Sequence, residues 1–397
     1  MKKLKLALIT IIFLFLSATP GNLFGCTTAV ISKFAADGEV PMLWKNRDTG
    51  YLSNKVIFVD EKPYSFIGIV NAKETSGRFV YAGLNSAGFG IINTVAYNLP
   101  KNEAEVHDLE GQIMSDALRK CRRIDDFEYY LKNNLGESLG SWSTFGVIDA
   151  EGGSTLFEVH NNGYKRYDTS VSEKKYFVVT NFARSGKEGE GEGYLRFERA
   201  SLLFRKVKIR GITPKNIFKN ISRDLGNVLV KHPSLDEIKK SSVSDPLWIH
   251  SRNCINRPST SAAIIIKGRD PKLKGSKATL WVILGEPVTS IAIPLWVESG
   301  SVPDELYIGS SAQLCTESMR IKKMIHPYSR GSKKNYLKTS VLLNREGSGF
   351  LPVILKTEEE IFNETNRFLL KYPGPEELRI FQSKIARKVL EVLKGIR

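Results

Sequence analysis

Short apolar runs, rich in Val, Ile and aromatic residues, predict β-strands over residues 26–94. Turn signals such as Asp37 with Gly38, and Lys62 with Pro63, separate these runs. Further strands are predicted after residue 144. The predicted strands are 27–31, 40–44, 56–59, 66–70, 79–84, 89–93, 145–148, 155–159, 176–180, 262–266, 279–284 and 290–294.

Apolar residues at three- and four-residue spacing predict helices between and after these strands. The predicted helices are 109–118, 125–131, 194–207, 214–225, 358–370 and 376–393. Blocks of strands and helices in this order favour an α+β layered domain. We predict a main domain over 26–300, and a loop-rich insertion with a C-terminal helical extension over 301–397.

Residues 1–25 have the layout of a secretory signal peptide. Three lysines precede an apolar run from Leu6 to Leu16, and Gly25 places a small residue directly before Cys26. The apolar run is shorter than the roughly 20 residues that a membrane-spanning helix needs. We therefore expect a periplasmic or extracellular protein without an integral membrane anchor, beginning at Cys26.

The net charge limits the classes of partner. The formal charge is +16, or +13 without the three leader lysines. These charges are scattered and no nucleic-acid motif occurs, so we expect no nucleic-acid partner. A basic surface favours an anionic small molecule instead. A homo-oligomer remains open.

Cys26 is the strongest candidate for chemistry. The sequence contains no G-x-S-x-G elbow, no H-E-x-x-H and no P-loop, and its five histidines are dispersed. No Cys/His spacing suits a metal, so we expect neither metal nor cofactor. A cysteine at a new N-terminus can use its own α-amine as the base for its thiol.

Five groups of motifs that follow Cys26 carry a resemblance to a known family. They are Cys26-Thr27-Thr28 with Lys45-Asn46-Arg47-Asp48, Gly83-Leu84-Asn85-Ser86-Ala87-Gly88-Phe89, Thr180-Asn181, Tyr194-Leu195-Arg196-Phe197-Glu198-Arg199 and Gly285-Glu286-Pro287. In this order they resemble the N-terminal-nucleophile (Ntn) amide hydrolases. The branch that they resemble holds choloylglycine hydrolases, penicillin V acylases and acyl-coenzyme A:6-aminopenicillanic acid acyltransferases. The resemblance implies a four-layer αββα sandwich and cleavage of a linear amide.

The same resemblance implies roles for individual residues. Cys26 would supply both the nucleophilic thiolate and the amine base, and Asp48 would hold that amine. Asn181 would donate to the oxyanion, with Asn93 as a second candidate donor. Arg196 would lie near Cys26 and Asp48 and lower the thiol pKa.

Lys45 departs from the family pattern, which has arginine at this place. Strand alternation puts Lys45 and Arg47 on one face, and Asn46 and Asp48 on the other. If Asp48 points into the site, Lys45 could point away from it. The role of the family's arginine could therefore pass to Lys45 or to Arg47, or be absent.

Two other functions stay open from the sequence. Residues 23–26 partly resemble a lipoprotein cleavage site, at which Cys26 would be acylated and would anchor a binding protein without catalysis. The chain could also be a peptidase acting on small peptides. A disulfide between Cys254 and Cys315 is a third open question, because an oxidising compartment permits one.

Overall fold

Two antiparallel β-sheets form the central layers of the protein. The computed structural model describes residues 25–100 and 108–397. From edge to edge, the first sheet contains β10 (Tyr176–Val179), β1 (Thr27–Ile31), β2 (Met42–Asp48), β12 (Thr260–Lys267), β13 (Thr279–Leu284) and β14 (Ile293–Leu295). The second contains β3 (Asn54–Val59), β4 (Phe66–Asn71), β5 (Ala82–Asn85), β6 (Gly90–Val95), β7 (Trp142–Ile148), β8 (Ser154–His160) and β9 (Gly163–Asp168). A separate ribbon pairs β11 (Trp248–His250) with β15 (Tyr336–Lys338).

Helices cover the outer faces of both sheets. The helices are α1 (Glu110–Lys120), α2 (Ile124–Asn134), α3 (Tyr194–Arg210), α4 (Pro214–Ile217), α5 (Leu235–Lys240), α6 (Asp304–Tyr307), α7 (Gln313–Ile325), α8 (Leu351–Leu369) and α9 (Pro375–Gly395). Helices α1 and α2 pack on the second sheet, while α3 packs on β1 and β10 of the first. The predicted α+β class and the four-layer αββα sandwich are confirmed.

Strand β2 lies at the middle of this arrangement. All seven of its residues are buried, because the second sheet covers one face and helices cover the other. Towards the helices, the indole of Trp44 donates to the Ser222 hydroxyl at 2.8 Å and packs on Phe204. Polar groups in such a strand need partners inside the protein, since they are largely shielded from water. The side chains at the end of β2 are therefore held in fixed positions.

The first part of the region 301–397, for which a loop-rich insertion is predicted, is partly helical. That stretch contains helix α7, and α8 begins at Leu351, seven residues before the predicted helix. In α7, the buried Cys315 and Ser318 interrupt the apolar stripe that would mark a helix. The last two helices share one apolar core with the first sheet, through residues such as Phe381 and Trp296.

The predicted leader lies outside the described residues, except for Gly25, and so does His107. Within the described ranges, no helix combines the length and the apolar character that a bilayer span requires. Cys254 and Cys315 are both buried and unpaired in the structure.

Candidate active site

Cys26 directly precedes β1, which lies between β10 and β2 in the first sheet. Thr27 is paired with Asn46, and Thr28 with Val179. One residue further back, this register places Cys26 beside Arg47 of β2 and beside Asn181, which follows β10. The Cys26 side chain is half-buried and lines a cavity of about 350 Å³.

Asp48 ends β2 and lines the same cavity. Its side chain is fully buried, and both oxygens accept strong hydrogen bonds. Oδ1 accepts from the Thr260 hydroxyl at 2.6 Å, and Oδ2 accepts from Arg257 Nε at 2.8 Å. Charge-assisted bonds of this kind fix the orientation of a carboxylate. Asp48 is therefore a rigid anion at the strand end beside Cys26.

Asn181 and Arg196 form a second fixed pair. Arg196 Nη2 donates to Asn181 Oδ1 at 2.6 Å, so the amide nitrogen of Asn181 faces the other way, towards β6. There Nδ2 donates to Thr94 Oγ1 at 3.2 Å and to the Val95 carbonyl at 3.0 Å. An oxyanion at Cys26 would therefore compete with the Thr94 hydroxyl for one amide hydrogen.

Arg196 also binds the backbone of the candidate nucleophile. Its Nη1 donates to the Cys26 carbonyl and to the Thr27 hydroxyl, both at 2.9 Å. Burial, together with the nearby Arg257, lowers the pKa of Arg196 to about 9. The guanidinium thus remains a cation at neutral pH and fixes the start of β1.

Lys45 points into the cavity from the opposite face of β2. Its Nζ donates to Asn93 Oδ1 at 2.7 Å and to the Tyr81 carbonyl at 2.8 Å. Burial lowers the pKa of Lys45 to about 8, and the negative charge of an ionised Cys26 opposes that fall. Lys45 and Arg47 both line the cavity of Cys26, and for Lys45 a hydrogen bond to the Cys26 sulfur also favours the charged form.

The guanidinium of Arg47 has several polar partners and one aromatic partner. It binds the side chains of Asn54, Asn71 and Ser261, and its guanidinium stacks 4.0 Å from the centre of the Tyr81 ring. The alternation along β2 is as predicted, because Lys45 and Arg47 face the second sheet. Lys45 and Asp48 nevertheless line one cavity, since Cys26 lies at the strand end, where both faces are accessible.

Arg257 is a site residue that the sequence analysis missed. Its Nε binds Asp48, and its Nη2 donates to the Gly25 carbonyl at 2.5 Å. It lies in the loop before β12, which carries no periodic signal. The pairing of β12 with β2 brings it to Asp48, 209 residues away in the chain. No pattern within the sequence marks such a partner.

A buried ion cluster supports the loop of Arg257 from behind. Glu286 accepts from Asn256 at 2.6 Å and from His326 at 3.1 Å, and it pairs with Lys322 at 2.8 Å. Burial alone would raise the pKa of Glu286, but these two basic residues bring it down to about 2. The residues after 300 thus contribute to the support of the site.

Across 25–100 and 108–397, no three His, Cys, Asp or Glu side chains converge as metal ligands would.

Comparison with known proteins gives similarity in structure only. No protein-family model matches the sequence, and no curated protein is significantly similar to it. A variant of conjugated bile acid hydrolase from Clostridium perfringens is 12% identical, with a TM-score of 0.39 over 68% of this chain and 92% of that one. Penicillin V acylase from Agrobacterium tumefaciens is 14% identical, with a TM-score of 0.39 over 68% of this chain and 86% of that one. The chain is similar in fold to these two proteins.

Proposed function

We propose that this protein is a secreted Ntn amidase or acyltransferase with Cys26 as its nucleophile. The observation that supports this most is the convergence of side chains around Cys26, the residue that precedes β1. Lys45 and Asp48 come from the middle and the end of β2, Asn181 follows β10, and all three line or border one cavity with Cys26. A thiol, a cation, an anion and an amide donor are the groups that cysteine amide hydrolysis requires.

Activation requires a free α-amine on Cys26. The amine takes the thiol proton, since the pKa values of the two groups lie within about one unit of each other in model peptides. Asp48 holds the resulting ammonium, and Arg257 and Thr260 hold Asp48 in turn. The Lys45 ammonium stabilises the thiolate by charge.

The thiolate sulfur then attacks the carbonyl carbon of a linear amide, and the carbonyl π electrons move to the oxygen. Asn181 Nδ2 donates to this oxyanion, in exchange for its bond to Thr94. Asn93 is held by Lys45 and is the second candidate donor. Preorganised donors of this kind typically contribute about 10²–10³ in rate.

Breakdown of the tetrahedral intermediate cleaves the C–N bond. The Cys26 ammonium returns its proton to the departing nitrogen, which leaves as an amine. The acyl group remains on the sulfur as a thioester. Water attacks this thioester in an amidase, and a second amine attacks it in an acyltransferase. Either acceptor passes its proton to the α-amine of Cys26.

Removal of the residues before Cys26 also opens the site. Gly25 lies directly against Asn181, such that even a Cβ at this position would collide with the Asn181 amide. In the uncleaved chain, Gly25 therefore occupies the space beside the proposed oxyanion donor. Cleavage after Gly25 would both create the amine and free the Asn181 amide.

The test compares Cys26→Ala and Cys26→Ser with the wild type, after expression with the native leader. The probes are N-acyl p-nitroanilides, together with a conjugated bile acid and penicillin V. We expect no turnover by Cys26→Ala, while Cys254→Ala, a change of a buried cysteine that does not line the cavity, retains activity. Turnover by Cys26→Ala equal to that of the wild type would refute the proposal.

Intact-mass analysis of the mature N-terminus separates the remaining alternatives. A free cysteine at residue 26 supports the amidase. A diacylglyceryl group on Cys26 would instead support the lipid-anchored binding protein, because the thiol and amine would then be blocked. Faster turnover of short peptides than of N-acyl amides would support the peptidase. The basic surface favours an anionic substrate. A probe with an anionic group outside its amide, compared with a neutral probe, tests this expectation.

A further inference from the structure

The ribbon of β11 and β15 forms a small unit with the chain segment that precedes it. The two strands pair so that Ile249 lies opposite Leu337, and both side chains are buried. Ile249 packs with Ile238 of α5 and with Cys254 in a small apolar core. The other face of the ribbon is therefore directed away from this core.

Aromatic rings cover that other face of the ribbon. Strand alternation places four side chains on it, namely Trp248, His250, Tyr336 and Lys338. The Trp248 ring stacks on Tyr328, with ring centres 5.7 Å apart, and the His250 ring lies 5.0 Å from that of Tyr336. Tyr328 and Tyr336 are 44% and 40% exposed. Tryptophan and tyrosine combine an apolar body with a polar tip, which suits the boundary between water and hydrocarbon.

The loop that leads to β15 makes this face basic. The Lys333 ammonium lies over the Tyr328 ring, 5.5 Å from its centre, and Arg330 and Lys334 are exposed in the same loop. From 326 to 345, the chain contains five lysines and arginines and no aspartate or glutamate. A second copy of the same face would be repelled by these charges, whereas an anionic partner would be attracted.

An exposed apolar loop is anchored on the same small core. Residues 228–230 are valine, leucine and valine, and they are 39%, 74% and 57% exposed in this order. Leu235, which begins α5, is 63% exposed. Leu225, shortly before the loop, packs on the core that also holds Ile249. A run of consecutive exposed apolar residues is unfavourable in water and marks a contact with a partner.

The combination of charge and apolar surface selects one kind of anionic partner. Basic residues alone suit any polyanion, including a nucleic acid or an acidic polysaccharide. Exposed leucine and valine gain nothing from a soluble polyanion, whereas a bilayer has hydrocarbon directly below its anionic headgroups. Tryptophan, tyrosine and lysine at the level of the headgroups are typical of surfaces that bind at this boundary.

We propose that the ribbon face and the loop 228–230 dock this protein reversibly on an anionic lipid bilayer. The aliphatic side chains of the loop enter the boundary of the acyl chains, while the rings and basic groups of the ribbon contact the headgroups. This contact requires neither a spanning helix nor acylation of Cys26. It is also independent of catalysis, so it can fail without affecting the proposed function.

Co-sedimentation with lipid vesicles tests the proposal. The protein is produced from residue 26 onward, which removes the apolar leader and any signal for lipidation. The vesicles contain phosphatidylcholine alone, or phosphatidylcholine mixed with phosphatidylglycerol. We expect at least roughly tenfold stronger partitioning onto the anionic vesicles, decreasing as salt screens the exposed charges. Equal partitioning onto both kinds of vesicle, or none onto either, overturns the proposal.

Two double variants separate the charged and the apolar contributions. Lys333→Gln with Lys334→Gln removes two charges from the ribbon loop. Leu229→Ser with Val230→Ser removes apolar surface from the loop 228–230. Each double variant should weaken partitioning onto anionic vesicles roughly tenfold, because both contributions are needed. Wild-type partitioning of either one contradicts docking through this surface.

Matched controls change exposed residues elsewhere. Lys272→Gln with Lys274→Gln alters the loop between β12 and β13, at the end of β12 that points away from Arg257. Ile209→Ser alters an 87% exposed aliphatic residue in the last turn of α3. Both controls should partition like the wild type, and a loss equal to that of the ribbon and loop variants would overturn the proposal. Urea unfolding checks that all the variants are folded.

Heparin provides the competing partner, a polyanion without hydrocarbon. We expect heparin to displace the protein from vesicles only weakly. Complete displacement, together with unchanged partitioning of Leu229→Ser with Val230→Ser, would identify a site for soluble polyanions and exclude the bilayer. Turnover of soluble N-acyl amides should be equal in all of these variants, so the measurement leaves the role of Cys26 untouched.

Discussion

Arg257 binds the Asp48 carboxylate through Nε at 2.8 Å, although 209 residues separate them in the chain. The Asp48 side chain is fully buried and that of Arg257 is 11% exposed. The same guanidinium donates to the Gly25 carbonyl through Nη2. Arg257 thus joins the proposed anchor of the α-amine to the backbone on which that amine forms.

Replacing Arg257 should impair both catalysis and folding. Arg257→Lys keeps the charge but loses the planar fork that fits a carboxylate, so we expect kcat/KM to fall roughly 10–100-fold. Arg257→Ala leaves a buried anion without its cation, and such losses cost about 3–5 kcal/mol of stability. Steady-state kinetics and urea unfolding measure the two effects.

The control for this prediction is Arg379→Ala, which removes an exposed ion pair with Glu376 on α9. Exposed pairs contribute at most about 1 kcal/mol, so its stability and activity should stay close to those of the wild type. Equal kcat/KM in Arg257→Lys and the wild type would argue against a positioning role.

Asn181→Ala should reduce kcat by about 10²–10³, because the proposed oxyanion donor is lost. The KM should change less, since the interaction forms mainly in the transition state. Rapid-quench measurement of acylation on a p-nitroanilide probe separates this step from deacylation. Asn98→Ala offers a comparison, because Asn98 is also a buried asparagine that bonds to the segment after Asn181. A wild-type acylation rate in Asn181→Ala would exclude the oxyanion role.

The pH dependence should report the state of Lys45. Because burial lowers the pKa of Lys45 to about 8, its ammonium is lost as the pH rises through that value. We expect kcat/KM to decline above about pH 8. Lys45→Arg should move this alkaline decline to higher pH, since a guanidinium stays protonated there. Lys45→Met should be weakly active at every pH. A wild-type pH profile of kcat/KM in that variant would contradict the proposed role of Lys45.

Glu110 should make stability depend on pH. Its folded pKa of about 7 lies above the usual 4.5, so the folded state keeps a proton that the unfolded chain loses between these values. The free energy of unfolding should therefore fall as the pH rises through this window, by about 3 kcal/mol. Glu110→Gln should flatten this dependence and exceed the wild type in stability above pH 7. Urea unfolding at pH 5 and pH 8 tests this, and an unchanged slope would contradict it.

The local patterns of the sequence determined most of the strands and the layered class. Strand β1 was predicted at its observed bounds, because a short apolar run beside turn residues has few other structures open to it. The motifs around Cys26, Asp48, Asn181 and Arg196 also named residues that meet at one end of the first sheet. Their roles in catalysis stay predictions, whereas their proximity is a property of the fold.

Only the tertiary structure decided which faces and partners these residues have. The alternation along β2 correctly predicted that the side chains of Lys45 and Asp48 lie on opposite faces of the strand. It did not show that both side chains line one cavity at the strand end. The pairing of β12 with β2 brings Arg257 to Asp48, and the packing of α1 on the second sheet brings Glu110 to the cavity. No local sequence pattern marks either residue. Periodicity reports the burial of a residue within its own element, while a hydrogen bond between distant residues depends on how the elements assemble.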